Sequence, residues 1–178
     1  MTMGNLLSRA QAVLSTSAAR WRSLTETIPS ELLTRSPAPK EWSALECLQH
    51  LLDTEHRVFP IRLQAFLTGQ DFPAFDPDSQ GRKLASIPVP TALASEFANL
   101  RVANLKLLAK ITPADLSRTA MHSELGQVTL AEMLHEWAAH DLMHTVQAER
   151  AMMQPFIVGS GPWRRYFTDH DVEAHALG

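Results

Sequence analysis

Cysteine is nearly absent from this chain. Cys47 stands alone among 178 residues, so no intramolecular disulfide can form and the fold must rest on packing. Long apolar runs are missing too: no stretch of about 18 consecutive apolar residues occurs, which excludes an ordinary membrane-spanning helix. Charge is scarce. Asp, Glu, Lys and Arg make up 20% of the chain, below the usual share of about 25%, and the net charge of −3 is spread along it. Arg20, Arg22 and Lys40 are scattered and Arg164-Arg165 is an isolated pair. With no basic stripe to follow a phosphate backbone, nucleic acid is not expected as a partner. Strand-like alternation is weak throughout, residues 87–89 being the one stretch that could be extended, and no repeat of solenoid length occurs. Arg9 is followed by Gln11, Ser15, Thr16 and Ser17 where a secretion signal would need an apolar centre. The expectation is a cytoplasmic protein that binds no membrane.

What the chain does have is helical periodicity. At 45% hydrophobic, it can form one domain over residues 1–178 with a core of its own. Leu6, Leu7, Ala10, Val13, Leu14, Ala18, Trp21 and Leu24 recur at helical spacing over residues 5–28, with Pro29 at the end. Ser36-Pro37-Ala38-Pro39 reads as a stiff connector. Ser43 with Glu46 fits a capping box that opens a second helix through Leu45, Leu48, Leu52, Phe59, Leu63 and Phe66, kinked at Pro60 and closed by Gly69. Residues 70–90 form a long loop, of the kind that often lines or covers a site. A third helix begins near Thr91 and carries Leu93, Phe97, Leu100, Asn104 and Leu108. Thr112-Pro113 opens a short helical turn, and residues 121–128 read as a second loop turning at Gly126. Thr129 with Glu132 caps a fourth helix, residues 130–152. From residue 154 periodicity fades into an irregular C-terminal tail, held to the bundle by Phe156, Trp163, Tyr166 and Phe167. Four amphipathic segments imply an all-α four-helix bundle.

Within the fourth segment lies His140-Asp141-Leu142-Met143-His144. Residues four apart on a helix point the same way, with Cβ atoms about 5–6 Å apart, so the two imidazoles can share one divalent ion. A third ligand must come from elsewhere, and His50 in the second helix is the best candidate. The bare spacing also arises by chance, the alternative being core histidines. Asp141 stands where a zinc peptidase would have glutamate, so the H-E-x-x-H signature is absent. Asp141 is open to three roles: orienting a ligand, capping a neighbouring helix, or an edge salt bridge. His50 shares a face with Cys47, Leu51 and Thr54, at a helix seam. Glu46 belongs to the cap, whereas Glu55 could face water, support a ligand or act as a base. His56 and His135 point away, His122 could border a pocket, and His170 and His175 are assigned no role. Cys47 reads as a buried structural thiol, because a nucleophile would need a thiolate-favouring neighbourhood.

Three stretches together resemble the DinB-like, or DinB/YfiT-type, metal-binding four-helix bundles. They are Trp42-Ser43-Ala44-Leu45-Glu46-Cys47-Leu48-Gln49-His50-Leu51-Leu52-Asp53-Thr54-Glu55, then Gly126-Gln127-Val128-Thr129-Leu130-Ala131-Glu132-Met133-Leu134, then Trp137-Ala138-Ala139-His140-Asp141-Leu142-Met143-His144. The segment Val158-Gly159-Ser160-Gly161-Pro162-Trp163 fits less distinctively. The resemblance implies an up-up-down-down helix order. It also implies one divalent metal ion, zinc or nickel foremost, held by His50, His140 and His144, with positions left for water. Relatives of this kind include transferases that use the low-molecular-weight thiols mycothiol or bacillithiol, and an isomerase of a mycothiol adduct. By that likeness the metal would hold a thiol cosubstrate as thiolate for attack on an electrophilic small molecule. Asp53, Thr54 and Glu55 would shape or polarise the pocket, Asp53 and Glu55 being the candidate catalytic residues. A metal-binding or stress-related bundle without catalysis remains the alternative. A leftover apolar face leaves a homodimer open, with Trp21 and Trp42 serving either that contact or the core.

Overall fold

Side-chain periodicity and two capping boxes set the helices that build this fold. A computed structural model describes residues 3–76 and 88–175. Helix α1 spans Met3–Thr27 and is followed by the short α2, Ser30–Thr34. Helix α3 (Ala44–Arg57) starts where Ser43 Oγ accepts from the Glu46 amide and the Glu46 carboxylate accepts from the Ser43 amide at 2.8 Å. Pro60 cannot donate to the turn before it. The helix accordingly breaks at Val58, whose backbone angles of −111° and −71° separate α3 from α4, Phe59–Thr68. Gly69, at φ 70°, closes α4 in the left-handed conformation that glycine adopts without a Cβ clash. Helix α5 spans Pro90–Leu108, and a 3-10 turn, Pro113–Ser117, follows. Helix α6 runs over Leu130–Gly159 behind the Thr129/Glu132 capping box. A second 3-10 turn, Gly161–Tyr166, and α7 (Val172–His175) end the described chain.

Helices α1 and α3 each pack against both α5 and α6, so the four long elements form a bundle. Its core has two ends. Leu6 and Leu14 of α1 meet Phe59, Phe66, Leu108, Leu134 and Trp137 at one end. Trp21 meets Leu48, Leu52, Phe97 and Ala148 at the other. These groupings set the helix directions: α1 and α6 run one way, α3–α4 and α5 the other. The expected up-up-down-down order is thereby corrected to up-down-down-up. The physical reason is that α4 ends near Phe66 at the first end of the core while α5 starts near Leu93 at the second, which makes those two elements parallel. Residues 77–87 of that expected loop, and Ile87 of the expected extended stretch, lie outside the described residues.

Between the two apolar ends lies a buried ionic knot. Arg101 of α5, 1% exposed, reaches the centre of the bundle. It donates to both Glu55 oxygens of α3 at 2.7 and 2.8 Å and to both Asp141 oxygens of α6 at 2.7 and 2.9 Å. It also donates to the Leu14 carbonyl and Ser17 Oγ of α1, each at 2.9 Å. One guanidinium thus ties all four helices. Burial works against its charge, but the hydrogen bonds and charges of Asp141 and Glu55 outweigh that and hold its pKa above the ordinary arginine value.

Two sequence expectations change. The stretch read as a loop, residues 121–128, lies within an antiparallel hairpin, β1 (Thr119–His122) with β2 (Gly126–Thr129), paired Thr119↔Thr129 through His122↔Gly126. Four-residue strands are too short to print a convincing alternation. The fourth helix also continues through Pro155 to Gly159, seven residues past its expected end. Phe156 in its last turns, and Trp163 and Tyr166 beyond it, are 65–67% exposed and Phe167 is 37% exposed, instead of packed on the bundle. Polar contacts anchor that region: Arg164 donates to Asp171 at 2.6 Å, and Gln154 accepts from the Val172 amide at 3.1 Å. Trp21 belongs to the core, at 1% exposed. No helix among the described residues is long and apolar enough to cross a membrane.

Candidate metal centre

His50 projects from α3 and His140 and His144 from α6, two helices that pack along their length. One nitrogen of each ring lies within 4.8 Å of one on each of the others. Nε2 of His50 stands 3.0 Å from Nε2 of His140, and the ring centroids are 4.5–5.0 Å apart. The i, i+4 spacing sets one edge of this triangle. The seam position of His50 sets the others.

Neighbouring groups fix the rings. Trp42, just before the α3 cap, stacks on His144 at 5.7 Å and tilts against His50 at 5.0 Å. Phe59 meets His140 edge-on at 5.4 Å and stacks on Trp137. Nδ1 of His144 is 2.9 Å from Gln147 Oε1. The amide oxygen accepts, so Nδ1 carries the proton and Nε2 keeps the lone pair. His140 Nδ1 is buried and has no hydrogen-bond partner among the described residues.

All three rings are held neutral. Burial, then the charge of His144, lowers His50 to about 4. Burial, then His144 and His50, lowers His140 to about 3. Burial also lowers His144, against the Gln147 hydrogen bond. Neutral imidazole is the form that binds metal. Two nitrogens bound to one ion at about 2.0–2.1 Å stand roughly 3.3 Å apart in tetrahedral geometry, close to the 3.0 Å of the His50–His140 pair. The donor set therefore fits a divalent ion.

The cluster opens into a cavity of about 350 Å³ lined also by Trp42, Thr54, Val58, Phe59, Arg62, Phe75, Glu136 and Met143. Of the acids anticipated here, Asp53 pairs with Arg57 at 3.0 Å, and Glu55, 1% exposed, points onto Arg101. Neither lines this cavity, whereas Thr54 between them does. Asp141, open to three roles from the sequence, is the second anion of the Arg101 knot. Cys47 is fully buried, and burial with the charge of Glu46 pushes its thiol up to about 12. His56 and His135 are exposed as expected, and His122 borders a second cavity.

Sequence reasoning missed Glu136 and Arg62. Glu136 had a legible signal, standing four residues before His140 on the stripe that carries His140 and His144. Its side chain is 47% exposed; partial desolvation raises its pKa while Arg62 pulls it down. Arg62 had none, because the helix break at Val58 sets its direction.

A family model described as the DinB superfamily matches residues 14–148. No curated protein matches the chain. Among solved structures, a chain described as YfiT from Bacillus subtilis, a probable metal-dependent hydrolase with an unusual four-helix bundle topology, superposes with a TM-score of 0.70. The two are 19% identical, over 82% of this chain and 85% of that one.

Proposed function

The chain belongs to the DinB superfamily, and from that premise we propose a divalent-metal-dependent enzyme that activates a low-molecular-weight thiol for attack on an electrophilic small molecule. The observation that carries the reading is the position of the three imidazoles. They form one wall of a cavity rather than the inside of a closed cage. Structural zinc sites usually take four protein ligands, whereas catalytic ones keep a position for solvent or substrate.

His50, His140 and His144 would hold the ion, and an all-imidazole set suits zinc or nickel. Once bound, the ion supplies Lewis acidity that lowers the pKa of a coordinated thiol or water. The remaining work falls to side chains. Glu136 shares the cavity with the three rings and is placed to accept the proton of the incoming nucleophile. Trp42 and Phe59 hold the imidazole planes and exclude water from one side. Glu55 serves as a positioning residue: with Asp141 it grips Arg101, which fixes the helix turn carrying His140. Asp53, paired with Arg57, holds the end of α3.

Hydrolysis is a second reading, favoured by the description of the solved relative as a probable metal-dependent hydrolase. The same site would then use water in place of the thiol.

The test begins with metal content of protein purified without a histidine tag. The protein is then incubated with an electrophilic probe such as monobromobimane, with glutathione, mycothiol or bacillithiol, before and after chelation. Adduct formation that needs both metal and one thiol supports the transferase. Metal-dependent ester hydrolysis without thiol supports the second reading. Stoichiometric metal with neither activity leaves the alternative of a non-catalytic metal-binding bundle.

A further inference from the structure

We propose that Arg62 and His122 form a carboxylate-binding subsite beside the three-histidine cluster, which makes the substrate a small apolar molecule carrying one carboxylate. The link to catalysis rests on the proposed function above. The binding of a carboxylate does not.

Arg62 lies in the wall of both the metal-site cavity and a second cavity of about 280 Å³ that also exposes Phe72, His122 and Met133. Its side chain is only 14% exposed, yet its nearest carboxylate, Glu136, is 3.7 Å away. Its other neighbours among the described residues are the Phe72 ring, 5.3 Å from the guanidinium carbon, and Nε2 of His122, 3.5 Å from Nη2.

The hairpin decides what that last contact is. Nδ1 of His122 accepts from the Glu124 and Leu125 amides at 3.2 and 3.3 Å. That nitrogen must therefore present its lone pair, and the neutral ring carries its proton on Nε2. Nε2–H and an Arg62 N–H thus face each other, donor against donor, with neither satisfying the other. His122 is 93% buried by its 7% exposure, and donors left unpaired in such a place are costly. One anionic oxygen would accept from both.

The surroundings select the anion. Glu124, Glu132 and Glu136 share the wall. Glu132 is turned onto its cap, accepting from Thr129 at 2.7 Å, but the local charge still disfavours a dianionic phosphate. A single carboxylate fits, with an apolar body against Phe72, Phe75, Val128 and Met133; Arg62, Phe75 and Glu136 line both cavities, which directs its reactive end toward the imidazoles.

The experiment titrates phenylbutyrate, its neutral amide and phenyl phosphate into metal-free and zinc-loaded protein by calorimetry, following the His122 ring by NMR. The acid is expected to bind both forms, at least about tenfold more tightly than the amide, as fits a charge-assisted hydrogen bond. It should also perturb the His122 Nε2–H resonance. Arg62→Gln should remove that preference while zinc content stays at the wild-type level. Arg62→Lys and His122→Phe are independent checks, each expected to weaken the acid if the first variant misfolds. Equal affinity for acid and amide, no binding by either, tighter binding of the phosphate, or an acid affinity indifferent to Arg62→Gln would overturn the proposal. Zinc that fails to bind while the acid still binds through Arg62 defeats the metal-enzyme reading and leaves the subsite standing. Zinc that binds while the acid ignores Arg62 does the reverse.

Discussion

Replacing Arg101 with methionine keeps most of the side-chain volume and removes the one cation that Glu55 and Asp141 share at the bundle centre. Both carboxylates are 1% exposed, so neither can recover its hydration. Removing one partner of a buried ion pair costs about 3–5 kcal/mol. Here the lost cation serves two anions as well as the Leu14 carbonyl and Ser17, which places the expected loss near the top of that range, about 4–5 kcal/mol. For a chain of this size, the melting temperature should fall by about 10–20 °C.

The loss should depend on pH. Burial already raises the Glu55 carboxyl above its ordinary value, with Arg101 pulling it back down. Without Arg101 its folded pKa rises further. A group whose pKa is higher folded than unfolded favours the fold most below its unfolded pKa, and that advantage is lost as pH rises through the folded value. The gap between wild type and variant should therefore narrow as pH is lowered from 8 to 5.5. Urea unfolding followed by circular dichroism measures both effects. Adding Glu55→Gln to the variant should cost less than the two single changes summed, by at least about 1 kcal/mol. A loss below about 1 kcal/mol, or a gap that does not move with pH, would refute the idea that this guanidinium neutralises the centre.

His144→Ala should lower bound metal from near one equivalent per chain to a minor fraction, measured by elemental analysis of untagged protein; full loading would remove α6 from the ligand set. Glu136→Gln should keep its metal but lose about 100-fold or more in thiol transfer or hydrolysis, and unchanged turnover would strip Glu136 of its proton-transfer role. Cys47, with its thiol pushed up to about 12 by burial, should resist a thiol reagent at pH 8 until urea unfolds the chain; rapid labelling of the native protein would contradict that burial. Thr129→Ala breaks the α6 capping box and should cost about 1 kcal/mol in urea unfolding while leaving metal content intact. A stability loss of several kcal/mol would mean that Thr129 does more than cap.

The helices were legible because their signals are local. Ser43 with Glu46 and Thr129 with Glu132 mark two starts, and both boxes form. The His140–His144 pair was legible for the same reason, since four residues on one helix set the spacing. Helix direction was not, because it depends on how far the chain travels between α4 and α5. Glu55 and Asp141 were readable as acids near ligands, but their partner Arg101 lies 46 and 40 residues away. No short-range pattern announces such a pair. The C-terminal aromatics misled because apolar character was read as burial, whereas Phe156, Trp163 and Tyr166 stay in contact with solvent.

The break at Val58 separates two tasks that a continuous helix would have fused. Upstream, α3 carries His50 and Glu55 and is locked to the rest of the bundle. Downstream, the ten residues of α4 present Phe59 and Arg62 to the cavities. Substitutions on α4 past Phe59, which packs on His140, can therefore reshape what the cavities admit while the imidazoles stay where they are. Under the proposed function, a lineage carrying this break can change which small molecules it admits without rebuilding its ligand set.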